Sequence, residues 1–106
     1  MHEVFRRQVV YEDDLRFAEG LSEQEMTLRE ELLELMWAHH VDFAVPEDHI
    51  RGYVREGLEV DVRGNARPVY QMLYSYIRWD DLAEQSMKDY WVHEELSDGS
   101  EWWFNA

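Results

Sequence analysis

One helix is predicted more strongly than any other element, because a row of apolar residues recurs at steps of three and four. A capping box, in which Ser22 and Glu25 satisfy each other's free backbone amides, precedes the row. We therefore predict a helix from about Glu23 to Val41 or Phe43. Its predicted inward positions are Met26, Leu32, Leu33, Met36 and Trp37.

A second helix is predicted from Pro46, because proline suits a first helical turn that needs no amide donor. Ile50, Tyr53 and Val54 form its inward stripe. Gly57 is expected to end this helix in a left-handed conformation.

The middle of the chain then alternates apolar and acidic residues over residues 58–62, which predicts a half-buried strand. Gly64 and Asn65 predict a turn, and Pro68 predicts the start of a third helix. The apolar positions of that helix are Val69, Met72, Leu73, Tyr76 and Ile77. Asp80 and Asp81 either end it or cap another helix that carries Leu82, Ala83 and Met87.

The two ends of the chain predict the strands. Residues 4–11 are β-branched enough for a short strand, and residues 12–19 predict a short helical turn or a loop that ends at Gly20. At the C-terminus, Asp98-Gly99 between two β-compatible runs predicts a hairpin. A two-residue turn pairs Glu95 with Trp102 and His93 with Phe104, whereas a three-residue turn shifts the register.

Together these elements predict an α+β fold with about three helices packed on a small antiparallel sheet that includes a C-terminal β-hairpin. The length favours a single compact acidic domain over residues 1–106. Leu, Ile, Val and Phe make up about a quarter of the chain. That share exceeds the level of about 20% below which high net charge predicts disorder.

Charge narrows the possible functions. The chain carries 24 acidic and 10 basic residues, a formal net charge of -14. Residues 1–46 and 80–106 each carry a net charge of -7, and residues 47–79 are neutral. Direct binding of nucleic acid or an anionic membrane is not expected, because phosphates would be repelled.

Cysteine is absent, which excludes disulfides and thiolate chemistry. The N-terminus lacks the apolar core of a signal peptide, so a cytoplasmic protein is expected.

Candidate chemistry is sparse. His39 and Asp42 would lie one helical turn apart, and His49 could join them at a divalent cation, although the spacing matches no established zinc pattern. The paired carboxylates are expected in so acidic a chain, and no nucleophile-elbow or phosphate-cradling pattern occurs. We expect no enzymatic activity, cofactor or metal.

Acidic and aromatic clusters are the stronger candidates. On the first helix, Glu23, Glu30 and Glu34 share an outward stripe with Thr27, and successive members rise by about 5 to 6 Å. The stripe has few basic residues to offset repulsion, and it coarsely imitates a row of phosphates. Five Trp residues exceed what a small core buries easily, so one hairpin indole could be exposed. The predicted partner-binding residues are Glu23, Glu30, Glu31, Glu34, Asp80, Asp81, Glu94, Glu95, Trp102 and Trp103.

These clusters predict a non-enzymatic protein that occludes a basic, nucleic-acid-handling partner. In physical character the chain is similar to small acidic phage and plasmid inhibitors of restriction or CRISPR effectors, and to immunity proteins against basic nucleases. A small structural or regulatory subunit of a phage or bacterial assembly is the alternative. A small metal-dependent enzyme around the histidines is the second alternative. The aromatic residues would serve a homodimer equally well.

Overall fold

The computed structural model describes residues 1–64, 72 and 74–106. The α-helices are α1 (Glu12–Arg16), α2 (Glu23–Ala38), α3 (Glu47–Gly64) and α4 (Trp79–Tyr90). The strands are β1 (Val10–Tyr11), β2 (Phe43–Pro46), β3 (Trp91–Glu95) and β4 (Glu101–Asn105). Short 3-10 helices cover Glu3–Arg6 and Tyr74–Tyr76.

The four strands form one antiparallel sheet in the order β1-β2-β4-β3. Strand β4 is internal, because Trp103 pairs with Val45 of β2 on one side and with His93 of β3 on the other. Strands β1 and β3 are therefore the edges of the sheet among the described residues. The predicted α+β fold with a C-terminal hairpin is confirmed.

Helices cover both faces of the sheet, so that two separate cores form. Helices α1 and α2 pack on one face over Trp102 and Phe104. Helices α3 and α4 pack on the other face, where Val45 lies in the core and Trp91 and Trp103 pack against it. Because neighbouring residues of a strand point to opposite faces, adjacent indoles enter different cores. This arrangement accommodates the heavy aromatic load.

Helix α2 begins as predicted. The Ser22 hydroxyl accepts a hydrogen bond from the Glu25 amide at 3.2 Å, and the Glu25 carboxylate accepts one from the Ser22 amide at 3.0 Å. The helix ends earlier than predicted, at Ala38, because His40 turns the chain with a φ of +57°.

The inward face of α2 is rotated from the predicted one. The buried residues are Leu28, Leu32 and Met36, a row at four-residue steps, whereas Met26 and Trp37 are exposed. Leu33 is half-buried. The predicted stripe was wrong for Met26 and Trp37, because apolar residues occupy more of the helix circumference than the core covers.

Helix α3 corrects two predictions. It continues through Gly57, and residues 58–62 are helical instead of forming a strand. Alternation over five residues is also compatible with a helix, since Val54 and Leu58 lie four residues apart and both pack on the second core. Salt bridges from Glu59 to Arg55 at 3.1 Å and to Arg63 at 3.9 Å support the helical spacing.

The remaining elements agree in part with the prediction. At the N-terminus, residues 4–11 contain a 3-10 turn and only the two-residue β1, because Val4 and Phe5 fold onto the first core. Most of the third predicted helix, and the turn residue Asn65, lie outside the described residues. Asp80 and Asp81 lie in the first turn of α4, a helix that carries Leu82, Ala83 and Met87.

The hairpin turn has three residues instead of two. Glu94 pairs with Trp102, and His93 pairs with Trp103, so the register based on a two-residue turn was wrong. Gly99 adopts a φ of +84°, and its amide donates to the Leu96 carbonyl at 2.9 Å. Asp98-Gly99 is compatible with both turn lengths, because glycine suits the left-handed position of either.

None of the helices within the described residues is long and apolar enough to cross a membrane.

The path of α3 can be tested at Gly57. A Cβ at Gly57 would meet no atom within 4 Å, so Gly57→Ala should raise the free energy of unfolding by about 0.5–1 kcal/mol through reduced chain entropy. Gly20→Ala is the contrasting variant. Gly20 has a φ of +76°, and alanine there should cost about 1 kcal/mol. Both values follow from urea denaturation. Destabilisation by Gly57→Ala would contradict a continuous α3.

Candidate functional site

The outward face of α2 carries carboxylates without compensating bases. Glu23, Glu30 and Glu34 are exposed, and none of them forms a salt bridge to any described residue. The only base on the helix is Arg29, whose guanidinium donates to the Ala18 carbonyl at 3.4 Å. The stripe predicted from the sequence therefore exists as a surface of uncompensated negative charge.

A groove of about 360 Å³ continues this surface between α2 and β3. Its apolar floor is formed by Leu35, Ala38 and Leu96. Its acidic walls come from Glu31 and Glu34 of α2 and from Glu94 and Glu95 of β3. The fold thus brings together residues that lie about sixty positions apart in the sequence. We call the α2 stripe and this groove together the acidic surface.

Two side chains of the groove have partners within the protein. The Glu94 carboxylate lies 3.5 Å from His39 Nε2, and His39 in turn packs against Phe104 with ring centroids 5.5 Å apart. The Ser97 amide donates to Glu31 at 3.4 Å. These contacts orient the groove walls, and they leave the carboxylates of Glu34 and Glu95 directed to solvent.

Asp80 and Asp81 do not belong to this surface. Asp80 lies 2.8 Å from Arg55 of α3, and Asp81 lies 3.6 Å from Arg78. Both carboxylates therefore have a local counter-charge at the start of α4. Sequence reasoning grouped them with the other acids because it could not place the arginines of the neutral middle segment.

The two hairpin tryptophans, Trp102 and Trp103, are less accessible than predicted partner-binding residues should be. Trp102 is 5% exposed and belongs to the first core, so its ring does not reach the surface. Trp103 is half-buried against the second core, and it stacks on His93 with ring centroids 4.7 Å apart. The sequence left open which of the two indoles is exposed; Trp102 is buried and Trp103 is half-buried, because helices cover both faces of the sheet.

The exposed indole is Trp37, which sequence reasoning assigned to the core. Its side chain is 57% exposed, and its ring nitrogen donates to Glu12 at 3.1 Å. Trp37 lies three residues after Glu34, so the two are neighbours on the α2 surface. The row of Leu28, Leu32 and Met36 at four-residue steps was the signal that could have identified Trp37 as an outward residue.

One group of possible metal ligands converges within the described part of the chain: Glu47, His93 and Glu101, whose donor atoms lie within 4.8 Å of one another. His93 Nε2 lies 3.3 Å from Glu101 and 3.9 Å from Glu47. The ligand set suggested by the sequence, His39, Asp42 and His49, does not converge, because His39 turns toward Glu94.

Glu47 links the start of α3 to the sheet. Burial raises the pKa of its carboxyl, but hydrogen bonds from Arg51 and from the Trp103 indole, together with the nearby charges of Arg51 and His93, outweigh burial and lower the pKa below 4.5. Arg51 also lies 2.6 Å from Glu84, so it joins α3 to α4. Within the group of Glu47, His93 and Glu101, the Glu47 carboxylate is therefore already engaged by Arg51 and the Trp103 indole.

These contacts predict a stability that depends on pH. A lowered pKa in the folded state stabilises the protein above the unfolded-state value near 4.5, and this contribution is lost as pH falls through the folded-state pKa. Glu47→Gln should lower the free energy of unfolding by about 1 kcal/mol at pH 7. The difference from the wild type should shrink below pH 4.5, as measured by urea denaturation monitored by Trp fluorescence.

The matched control is Glu56→Gln, an exposed position on the same helix, which should change the free energy of unfolding by less than about 0.5 kcal/mol. A Glu47→Gln difference that stays constant down to the acid transition would contradict this assignment.

Comparison with known proteins adds no assignment, since no family model, curated protein or solved structure matches this chain.

Proposed function

We propose that this protein is a non-enzymatic acidic binding protein that occludes the basic surface of a nucleic-acid-handling partner. The observation that supports the proposal is the acidic surface, where the carboxylates of α2 lack basic partners among the described residues and continue into the groove beside β3. Like-charge repulsion of this kind destabilises the free protein. A basic partner would relieve that repulsion on binding.

The spacing of the charges favours a partner that binds phosphates. Glu30 and Glu34 lie four residues apart, so their backbones are separated by about 6 Å along the helix. Phosphates of a nucleic-acid strand also recur every few Å along the backbone. A partner whose binding groove recognises phosphates would find, on α2, carboxylates of the same charge at a similar spacing. Inhibition of a nuclease or another nucleic-acid-binding protein, as by phage inhibitors or immunity proteins, fits this surface.

Trp37 is the aromatic anchor in this proposal. It lies next to Glu34 on α2 and bonds to Glu12, so the exposed ring is bordered by acids. A partner arginine could stack on the indole while it pairs with a neighbouring carboxylate, because the face of an aromatic ring attracts cations. Arginine and tryptophan are also the side chains that most often dominate binding energy at interfaces.

A structural or regulatory subunit of a larger assembly is the second candidate function. It is favoured by the exposed apolar side chains of Phe17, 73% exposed, and Met26, 41% exposed. Apolar docking depends little on salt, whereas binding through the acidic surface weakens as screening increases. The salt dependence of binding therefore separates the two functions.

The proposed function predicts competition with nucleic acid. The protein, immobilised and incubated with extract of its source cells at low salt, should capture a partner that about 1 M salt releases, since screening then acts within about 3 Å. The captured partner, once identified and purified, should lose its binding to labelled duplex DNA or RNA when this protein is added. A partner that binds nucleic acid equally well in the complex would contradict the proposal.

Charge variants then locate the contact. Glu30→Lys/Glu34→Lys should slow association with that partner at least about tenfold at low salt, because electrostatic steering is lost. Glu56→Lys/Asp61→Lys makes the same change in net charge on α3, where both residues are exposed. If the two double variants slow association equally, net charge and not the acidic surface is responsible.

The aromatic anchor predicts a separate kinetic effect. Trp37→Ala should raise the rate of dissociation from the captured partner at least about tenfold, as expected for an interface anchor. Its free energy of unfolding should change by less than about 1 kcal/mol, since the ring is mostly exposed. Tyr76→Ala, which removes an exposed ring outside the acidic surface, should leave dissociation unchanged. Equal effects of the two variants would refute the assignment of Trp37.

A further inference from the structure

Strand β3 has one free edge beside the acidic surface. In the sheet order β1-β2-β4-β3 this strand is terminal, and within the described residues it pairs only with β4. A terminal strand presents unpaired amides and carbonyls, to which another extended segment can add.

The backbone groups that point outward can be identified. The Leu96 amide donates to the Ser100 carbonyl at 2.8 Å, and the Ala106 amide donates to the Tyr90 carbonyl at 3.2 Å. Even-numbered residues therefore turn their backbone groups toward β4. Because pairing alternates along an antiparallel strand, residues 91, 93 and 95 turn theirs toward the free edge.

Acidic side chains lie on both faces of the sheet at the C-terminal end of this edge. Glu94 lies on the face of α2 and forms the groove wall with Glu31 and Glu34. The Glu95 side chain leaves the strand on the opposite face, across from Glu101 in β4, and Glu95 also borders the groove. A segment added to the edge would therefore meet carboxylates with both of its alternating sets of side chains.

The negative charge at the edge of β3 determines which kind of extended segment can pair with it. Two copies of β3 that paired edge to edge would bring four glutamates of like charge together, which disfavours self-association. A basic segment meets the opposite condition, since its side chains would neutralise the groove. Charge complementarity thus points to a basic extended strand and not to a second copy of this chain.

We propose that the free edge of β3 binds an extended, arginine- or lysine-rich segment of the partner by strand addition. The inference rests on the proposed function, and it states how the partner engages the acidic surface. Main-chain hydrogen bonds of residues 91, 93 and 95 supply register, and the glutamates on both faces select basic side chains.

The test uses the full chain and a synthetic eight-residue peptide that alternates arginine and lysine, so that basic side chains face both sides of the added strand. The matched control carries N-methyl groups on its inner backbone amides, which keeps every charge but removes the donors needed for strand pairing. Calorimetry should show binding of the parent peptide and at least about tenfold weaker binding of the methylated one. Hydrogen exchange should show new protection of the amides of Trp91, His93 and Glu95 on binding, whereas the amides of Val92 and Glu94 are protected in both states.

A protein variant gives an independent measurement. Glu95→Pro removes an outward amide without a pairing bond to β4, a position where an edge strand tolerates proline. It should weaken binding of the parent peptide more than Glu95→Gln, which removes the same charge and keeps the amide. Circular dichroism checks that both variants remain folded, and the methylated peptide still tests the inference if the proline variant does not fold.

The outcomes separate this inference from the proposed function. Equal binding of the two peptides, or binding without protection of the outward amides, would overturn strand addition. Failure of both peptides to bind would overturn it as well. Either result leaves the proposed function to its own test, in which the captured partner competes with nucleic acid.

Discussion

The alternation of side chains along β4 is the constraint on which the rest of the structure depends. Trp102 and Phe104 enter the core under α1 and α2, while Trp103 packs against the core under α3 and α4. Each large aromatic ring needs roughly 150 to 250 Å² of cover, so a sheet with such a strand at an internal position requires helices on both faces. The position of α2, and therefore of its acidic face, follows from this requirement.

The same packing decides which charges are compensated. The arginines of α3 cross to α4, where Arg51 meets Glu84 and Arg55 meets Asp80. They also pair with acids on their own helix, so Arg51 and Arg55 are engaged in holding α3 and α4 together. Helix α2 packs on the other face of the sheet, away from these arginines, and its stripe remains negative. The negative stripe of α2 and the arginines of α3 are thus kept apart because the two helices cover opposite faces of the sheet.

Local signals predicted the start of α2 and the existence of the hairpin, because a capping box and an Asp-Gly turn act within a few residues. The hairpin register was not predictable, since Gly99 suits turns of two or three residues. The alternation over residues 58–62 predicts a strand but is equally compatible with a helix, and the packing of Leu58 on the second core decides in favour of the helix. For the candidate site, the glutamates of α2 were identified from their spacing, whereas the groove required β3 to lie beside that helix.

The sequence by itself determined the fold class and the excess of negative charge on the outward face of α2, because both follow from composition and helical period. Only the tertiary structure decided which tryptophan is exposed, which acids meet across the groove, and which strands form the edges of the sheet among the described residues. These properties depend on contacts between residues far apart in the chain. Trp37 and Trp102 illustrate the difference, since the sequence alone placed the first in the core and the second in a candidate binding site. In the structure Trp37 is exposed because the core covers a different face of α2, and Trp102 is buried because helices cover both faces of the sheet.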